Sequence, residues 1–450
     1  MERERARRPR LAYLGGTMHP PILSRRTVDR LPGHEIARGD GGDVILQAFH
    51  WNLVKTRGTG TMDGRAESWY RVLTDMAEQV AALGFTIVYL PPPWRDDSEW
   101  QSGERSGGGE GYFWHDFDLD SRYGSKAELT ALVTKLHALG VRVIVDVVIN
   151  HRDKSRMRED VWEWPGPCWA VGGHDTGGGF DRGENDLALD YPVVHARIRA
   201  AMNELLEECG VDGYRWDFVW GYSVEDVIAL LEETPKAPYF SMGEYWQGDP
   251  TRPDDPMIER YGTHERARIV GWACDTRSCA YDVLLKKQVQ TADPRNLRLG
   301  LNASRRRGDR EVAVTYVDNH DTGASPSCAA GSGQRHWECP PHFKSSAYAF
   351  VLSMPGTPSV YWPDCFDWGM REEIAALIAA RQRAGIVAAS EWTDLCDAHS
   401  GFAGIVQDAH GKDALALSIG SDYTGPGAGW VVAHEKRGEW TVWVREGLSG

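Results

Sequence analysis

No run of apolar residues in this chain is long enough to cross a bilayer. No segment has the Gly-x-Gly-x-x-Gly or Walker spacing of a nucleotide-binding loop. Paired Cys-x-x-Cys motifs are missing too. The 8 cysteines are scattered, so they encode no paired zinc framework, and they permit a disulfide without requiring an oxidising compartment. Clustered basic surface is lacking: the formal net charge is -15, which argues against a nucleic-acid partner because phosphate contacts need concentrated Lys and Arg. The N-terminal stretch "MERERARRPRLAYLGGTMHPPILSRR" is basic but has no apolar core of a signal peptide. As written it reads as cytoplasmic, the alternative being a chain whose export signal is missing from this stretch; no membrane partner is expected.

What is present is a chain of 450 residues, enough for one large domain and smaller ones, with 19 Trp. So many indoles build either a large aromatic core or flat platforms for sugar rings. Trp94, Trp100, Trp114, Trp162 and Trp164 lie in polar, Gly-rich segments, which favours platforms. The 49 Gly suit long irregular loops.

Residues 1–38, Arg- and Pro-rich and without periodicity, read as a poorly ordered tail. Then an alternation begins: "DVILQAFHW" as strand, Glu67 to Leu83 as helix, "GFTIVYLPPP" as strand, Lys126 to Leu139 as helix, "VRVIVDVVINH" as strand. It resumes with "VDGYRWDF", "YFSMGEYW", "EVAVTYVDNHD" and "TPSVYW"; a sixth strand falls either near Ile269 to Ala273 or around Cys279 to Val283. Near-continuous Val/Ile runs belong to parallel strands covered on both faces. Repeated βα units in this number predict an α/β fold, a (β/α)8 TIM barrel over residues 39–151 and 190–385. A Gly-, Asp- and Trp-rich insert at 152–189 forms a small domain after strand 3, and alternating segments over 386–450 form a C-terminal antiparallel β domain. "RRRGDR" (Arg305 to Arg310) reads as a solvated loop.

In such a barrel chemistry collects where strands end. Strand three ends in Asp146, Asn150 and His151, strand four in Arg215 and Asp217, strand five in Glu244, strand seven in Asp318, Asn319, His320 and Asp321. Arg215 and Asp217 are two apart and share a face, while Tyr214, Trp216 and Phe218 are expected to face the helices. The pair is either a buried ion pair that fixes the barrel or a carboxylate kept ionised as a nucleophile. Glu244, after a Gly and among aromatics, suits a general acid whose pKa burial raises, or else a rim carboxylate. Asp321 suits a third acid or a turn residue. Two carboxyls acting as nucleophile and acid/base are the apparatus of retaining glycoside hydrolysis. His151 and His320 are sugar contacts, packing residues or metal ligands, though two His without a third ligand make a poor zinc signature.

"DVVINH", "GYRWDFVWGY", "GEYW" and "VDNHD" resemble, in order, the four sequence regions of the α-amylase family, glycoside hydrolase family 13. "GGDVILQAFHWN", "SGGGEGYFWHDF", "RYGS", "EVAVTYVDNHDTG" and "MPGTPSVYW" followed by "DWG" resemble its bacterial maltotetraose-forming subgroup. The likeness runs from about Gly41 to the C-terminus. It implies Asp217 as nucleophile, Glu244 as acid/base and Asp321 as transition-state stabiliser. Arg215, His151, His320 and Tyr112 would contact the nucleophile or the sugar on its non-reducing side, with Trp51, Trp100 and Trp220 as further substrate contacts.

The resemblance also implies a structural Ca²⁺ held by Asn150, Asp175, Asp181, Asp186 and the Gly221 carbonyl, an oxygen set that suits this ion. A second site around Asp40 and Asp43 matches only in part. Three departures stand out: Trp220 where relatives usually carry Lys or Arg, a different chain-end loop at "FDRGENDL", and Ser241 in place of a Cys that pairs in relatives, which leaves Cys279 unpaired. The implied activity is hydrolysis of α-1,4-glucosidic bonds of starch and maltooligosaccharides by a monomer, exo-acting and releasing maltotetraose or similar products. Alternatives are an endo-acting α-amylase, a 4-α-glucan transglycosylase, and a non-catalytic glucan-binding protein. Members of this type are usually secreted.

Overall fold

The computed structural model describes residues 37–53, 68–98, 100–102, 105–153, 186–246, 256–326 and 337–447. In chain order the first ten strands are β1 Ile45–Gln47, β2 Ile87–Leu90, β3 Trp100–Ser102, β4 Arg105–Gly107, β5 Arg142–Val147, β6 Gly213–Trp216, β7 Phe240–Gly243, β8 Cys279–Tyr281, β9 Ala313–Tyr316 and β10 Thr357–Tyr361. β3 and β4 form an antiparallel hairpin; the other eight close a parallel barrel in the order β1, β2, β5, β6, β7, β8, β9, β10 and back to β1. Every residue of β2, β6, β7, β9 and β10 is buried, as expected when side chains on one face fill the barrel and those on the other meet helices.

Helices start where side chains satisfy the first free N–H groups. Ser68 caps Trp69–Ala82, and Ser125 with Glu128 forms a reciprocal capping box on Lys126–Ala138. Both helices lie within two residues of their expected bounds. The sixth barrel strand is Cys279–Tyr281, hydrogen-bonded between β7 and β9. Ile269 to Ala273 instead belong to the helix Glu265–Asp275. Its buried run IVGWA mimics a strand because this helix buries residues 268–273 without a break.

A second sheet follows, with β11 Trp392–Asp394, β12 Phe402–Gln407, β13 Asp413–Ile419, β14 Trp430–Lys436 and β15 Trp440–Arg445 in the order β11, β12, β13, β15, β14, all antiparallel. It is seated on the helix Lys344–Ser353: Phe350 meets Phe402 edge-on at 5.0 Å, and the Trp440 indole N–H donates to Ser345 Oγ at 2.9 Å.

Three expectations are corrected. The tail does not extend to residue 38. Ala37 is buried, exchanging backbone bonds with Arg277 (3.1 Å) and Ser241 (2.9 Å), and the Arg38 guanidinium donates to the Ser278 and Ala273 carbonyls. These bonds satisfy backbone groups at the N-terminal end of the barrel. "RRRGDR" is not a solvated loop: Arg307–Glu311 is a short helix with Asp309 and Arg310 buried. Arg310 donates to the carbonyls of Ser304 (2.7 Å) and Ala389 (3.2 Å) and pairs with Glu391, so both of its terminal nitrogens are engaged. Trp94 and Trp114 are core residues. They pack edge-on at 5.3 Å and both meet Phe117, and the Trp114 N–H is used on the Val148 carbonyl. Trp162, Trp164 and most of the insert (154–185) lie outside the described residues.

Candidate active site

The register between β5 and β6 sets Asp146 beside Arg215. From that pairing the Arg215 guanidinium, fully buried, reaches three carboxyls. Its Nη1 lies 2.8 and 3.0 Å from the two oxygens of Asp146 and 2.6 Å from Asp217 Oδ1, and its Nη2 lies 2.7 Å from Glu244 Oε2. Asp146 also accepts the hydroxyls of Tyr89 (2.6 Å) and Tyr112 (2.7 Å); burial raises its pKa above the ordinary carboxylate range, and Arg215 and these hydroxyls offset that in part.

Asp217 sits one residue past β6, where the chain leaves the sheet. Its N–H is bonded to Val147 O (3.1 Å), and its carbonyl accepts the Tyr222 hydroxyl (2.8 Å). Phe218 then turns left-handed, at φ +50°, into the 3-10 turn Val219–Gly221. This turn takes Phe218 off the strand's alternation. Its ring faces Trp220 (4.5 Å) and His151 (6.4 Å), contrary to the expected outward packing of Tyr214, Trp216 and Phe218 together.

Glu244 follows β7. A Cβ on Gly243 would stand 2.2 Å from the Trp272 ring, so only glycine lets the strand end approach that helix. The Glu244 N–H is bonded to Trp216 O; the Trp246 indole N–H donates to Oε1, and the Phe218 N–H donates to Oε2 (3.3 Å).

One guanidinium cannot neutralise every acid around it, and the electrostatics reflect that. Burial raises Asp217 to about 6, held down by the neighbouring Arg215 charge. Burial raises Glu244 to about 7, against the pull of Arg215 and with the help of the Asp217 charge. Asp321 is raised well above the ordinary range by burial and by the nearby Glu244 charge. The cluster therefore offers an ionised carboxylate and a protonated carboxyl on one cation near neutral pH, the division of labour that nucleophile and general acid require.

The turn after β9 is made by Asn319, whose Oδ1 accepts the N–H groups of Asp321 (3.1 Å) and Thr322 (2.9 Å). The Asp321 carboxyl is thereby spared the turn-making role and lies 3.2 Å from His320 Nε2. Tyr112 and His320 face each other with their planes 18° apart, and Trp51 stands over both at 5.0 and 5.5 Å. The His320 nitrogens are taken up by Tyr112 and Gln47 (2.7 and 2.8 Å), which leaves no lone pair for a metal. Burial lowers His151 to about 3 and His320 well below the ordinary value, so both rings are neutral. Trp220 is half-buried against Phe218 on the nucleophile's own turn. Trp100 opens the β3–β4 hairpin.

Asn150 Nδ2 donates to Asp186 Oδ1 at 2.9 Å, and a Cβ on Gly221 would meet Asn150 Oδ1 at 2.2 Å. An amide oxygen, a carboxylate and a glycine backbone thus converge behind the Asp217 turn, a donor set that fits a hard cation. Asp175 and Asp181 lie outside the described residues. Among those described, no three His, Cys, Asp or Glu cluster as a metal site. Asp43, suggested for a second site, is used instead by Thr86 Oγ1 (2.7 Å) and the Tyr239 hydroxyl (3.0 Å). Ser241 Oγ shares a hydrogen bond with Ser278 Oγ (2.7 Å) and accepts the Trp216 indole N–H; Cys279 beside it is a free thiol.

Sequence reasoning placed Asp146 at a strand end without giving it a role, and missed Tyr89, Gln47 and Trp246 as parts of this site. A role for Asp146 was readable by the argument used for Arg215, a charge inside an apolar strand. Gln47 is likewise a lone amide within "VILQAF".

The profile of the α-amylase catalytic domain matches residues 58–162. A glucan 1,4-alpha-maltotetraohydrolase of Roseateles saccharophilus is 36% identical over 403 residues, covering 87% of this chain and 70% of that protein. The enzyme of the same name from Stutzerimonas stutzeri is 36% identical over 402 residues with the same coverage. An Anoxybacillus alpha-amylase crystal structure superposes with a TM-score of 0.64 at 17% identity, covering 90% of this chain and 98% of that one, which speaks to the fold. With an eight-stranded parallel barrel, acidic groups gathered at its strand ends and relatives matched over most of the chain, the conclusion is direct: this chain belongs to the α-amylase family of glycoside hydrolases.

Proposed function

We propose that this chain is a retaining hydrolase of α-1,4-glucosidic bonds in starch and maltooligosaccharides, exo-acting and releasing maltotetraose or a similarly short product. The observation that carries the chemistry is the Arg215 guanidinium, with Asp217 on one nitrogen and Glu244 on the other. Product length rests on the two maltotetraohydrolase relatives.

Asp217, ionised, attacks the anomeric carbon while protonated Glu244 gives its proton to the departing glycosidic oxygen. The glycosyl ester to Asp217 forms as the C–O bond to the leaving chain breaks. Water then enters on the vacated side, Glu244 as carboxylate takes its proton, and the oxygen attacks the same carbon and releases Asp217. Two inversions retain the anomeric configuration. Asp321 binds hydroxyls of the reacting sugar and favours its distorted, positively charged transition state. Tyr112, with Trp51, supplies a stacking face for that sugar; His151, neutral and buried, binds its hydroxyls, and His320, its nitrogens engaged by Tyr112 and Gln47, holds the Tyr112 face in place beside the sugar. Trp220 extends the contacts along the chain.

α-Amylases commonly bind Ca²⁺. Here Asn150, Asp186 and the Gly221 carbonyl would hold it, and when bound it would stiffen the turn that carries Asp217. An endo-acting enzyme is the second reading, because Trp220 lies on that turn where a basic residue is usual.

Release of reducing sugar from soluble starch by the wild type and by Asp217→Asn tests the chemistry; equal signals would sink it. Chromatography of early products tests exo-action. A single dominant short product supports it, and a broad ladder replaces it with endo-action.

A further inference from the structure

His320 Nδ1 faces the Gln47 side-chain nitrogen at 2.8 Å, both side chains being about 1% exposed. On the other side of the ring, Nε2 lies 2.7 Å from the Tyr112 hydroxyl and 3.2 Å from Asp321 Oδ2. Which ring nitrogen carries the proton follows from counting donors. Asp146 is held by Arg215 through both oxygens and, as a carboxylate, can only accept, so the Tyr112 hydrogen is used on Asp146 Oδ2 (2.7 Å). The Tyr112 oxygen must then accept from His320, and Nε2 carries the hydrogen. With the ring neutral, Nδ1 is bare, so Gln47 must present its NH₂ group. Its Oε1 then finds no hydrogen-bond partner among the described residues, as follows if the donor end of the amide is the one required at Nδ1.

We propose that Gln47 is a positioning residue: it locks His320 as the Nε2–H tautomer, aiming that hydrogen at Tyr112 and Asp321, the acid that meets the reacting sugar. Gln47 touches neither substrate nor reacting atoms in this arrangement; it acts through His320. The functional half of the inference rests on the role given above to Asp321. The tautomer does not, and it can be read without any substrate.

The test is a long-range ¹H–¹⁵N correlation spectrum of ¹⁵N-histidine-labelled full-length protein, with His320 assigned by loss of its signals in His320→Gln. The expected wild-type pattern is a protonated Nε2 and a bare Nδ1; a protonated Nδ1 overturns the proposal outright. Gln47→Glu puts an acceptor where a donor stood. It is expected to protonate Nδ1 and to lower kcat at least tenfold, about 1.4 kcal/mol of barrier, with KM much less affected. An unchanged His320 spectrum or unchanged kcat in a folded Gln47→Glu protein overturns it. Should that variant fail to fold, Gln47→Met, similar in size but without a donor, carries the kinetic arm. A several-fold fall in kcat at similar KM supports positioning, and wild-type kcat refutes it. Loss of all amylase activity in the wild type would sink the functional reading while leaving the spectrum to decide the tautomer.

Discussion

Glu244 is held in the fold at a cost that should be visible in stability. Its folded pKa of about 7 exceeds the ordinary 4.5, chiefly because burial disfavours the charged form. Between those two pH values the folded protein binds more protons at this site than the unfolded chain. Stability conferred by the protonated carboxyl is therefore fully present below pH 4.5 and is lost as pH rises toward 7. At 1.36 kcal/mol per pH unit the loss across that interval is about 3 kcal/mol. Glu244→Gln keeps the shape and removes the titration. Whatever constant offset the amide brings, the stability of Glu244→Gln relative to wild type should climb by about 3 kcal/mol between pH 4.5 and 7 and then level off. The same variant loses the general acid, so kcat should fall by about 10²–10⁴-fold. Urea unfolding at a series of pH values, with both proteins at fixed calcium, measures the difference. A stability gap that stays flat with pH, or shrinks as pH rises, refutes the account of Glu244 as a buried, proton-holding acid.

Trp246→Phe removes the indole hydrogen bond that favours the ionised form of Glu244, so the alkaline limb of the kcat/KM profile should move to higher pH; a limb that stays put contradicts that role. Gly221→Ala drives a Cβ to 2.2 Å from Asn150 Oδ1 and should lower stability by about 1–3 kcal/mol. If the cation site is as assigned, excess EDTA lowers the Tm of the wild type and has a smaller effect on this variant; equal effects count against the assignment. Trp220→Lys should change the distribution of short products from starch while leaving the Asp217-dependent chemistry intact; an unchanged chromatogram would mean that Trp220 does not shape chain binding.

Much of the molecule could be read along the chain, because its signals are local. Continuous Val/Ile runs mark strands buried on both faces, and Ser125 with Glu128 marks a helix start. The polar residues that end those runs must lie on the catalytic rim of any parallel barrel. Asp217, Glu244 and Asp321 are such residues. Local reading failed where the period breaks or where burial is decided by distant neighbours. Phe218 left the strand through a left-handed turn. Trp94 and Trp114, set in polar text, were buried by one another and by Phe117. The run from Ile269 to Ala273 was apolar enough for a strand, yet it is helix.

Alternation and composition depend only on near neighbours, and so they already mark the residues at the ends of most barrel strands. Which of those residues meet is a matter of the assembled fold. Arg215 finds Asp146 through strand register, and Gln47 finds His320 across the closure of the barrel from residues 273 apart in the chain. Register and closure depend on the packing of the whole molecule. The charge state of each acid follows from them, because desolvation and charge pairing are properties of the assembled site.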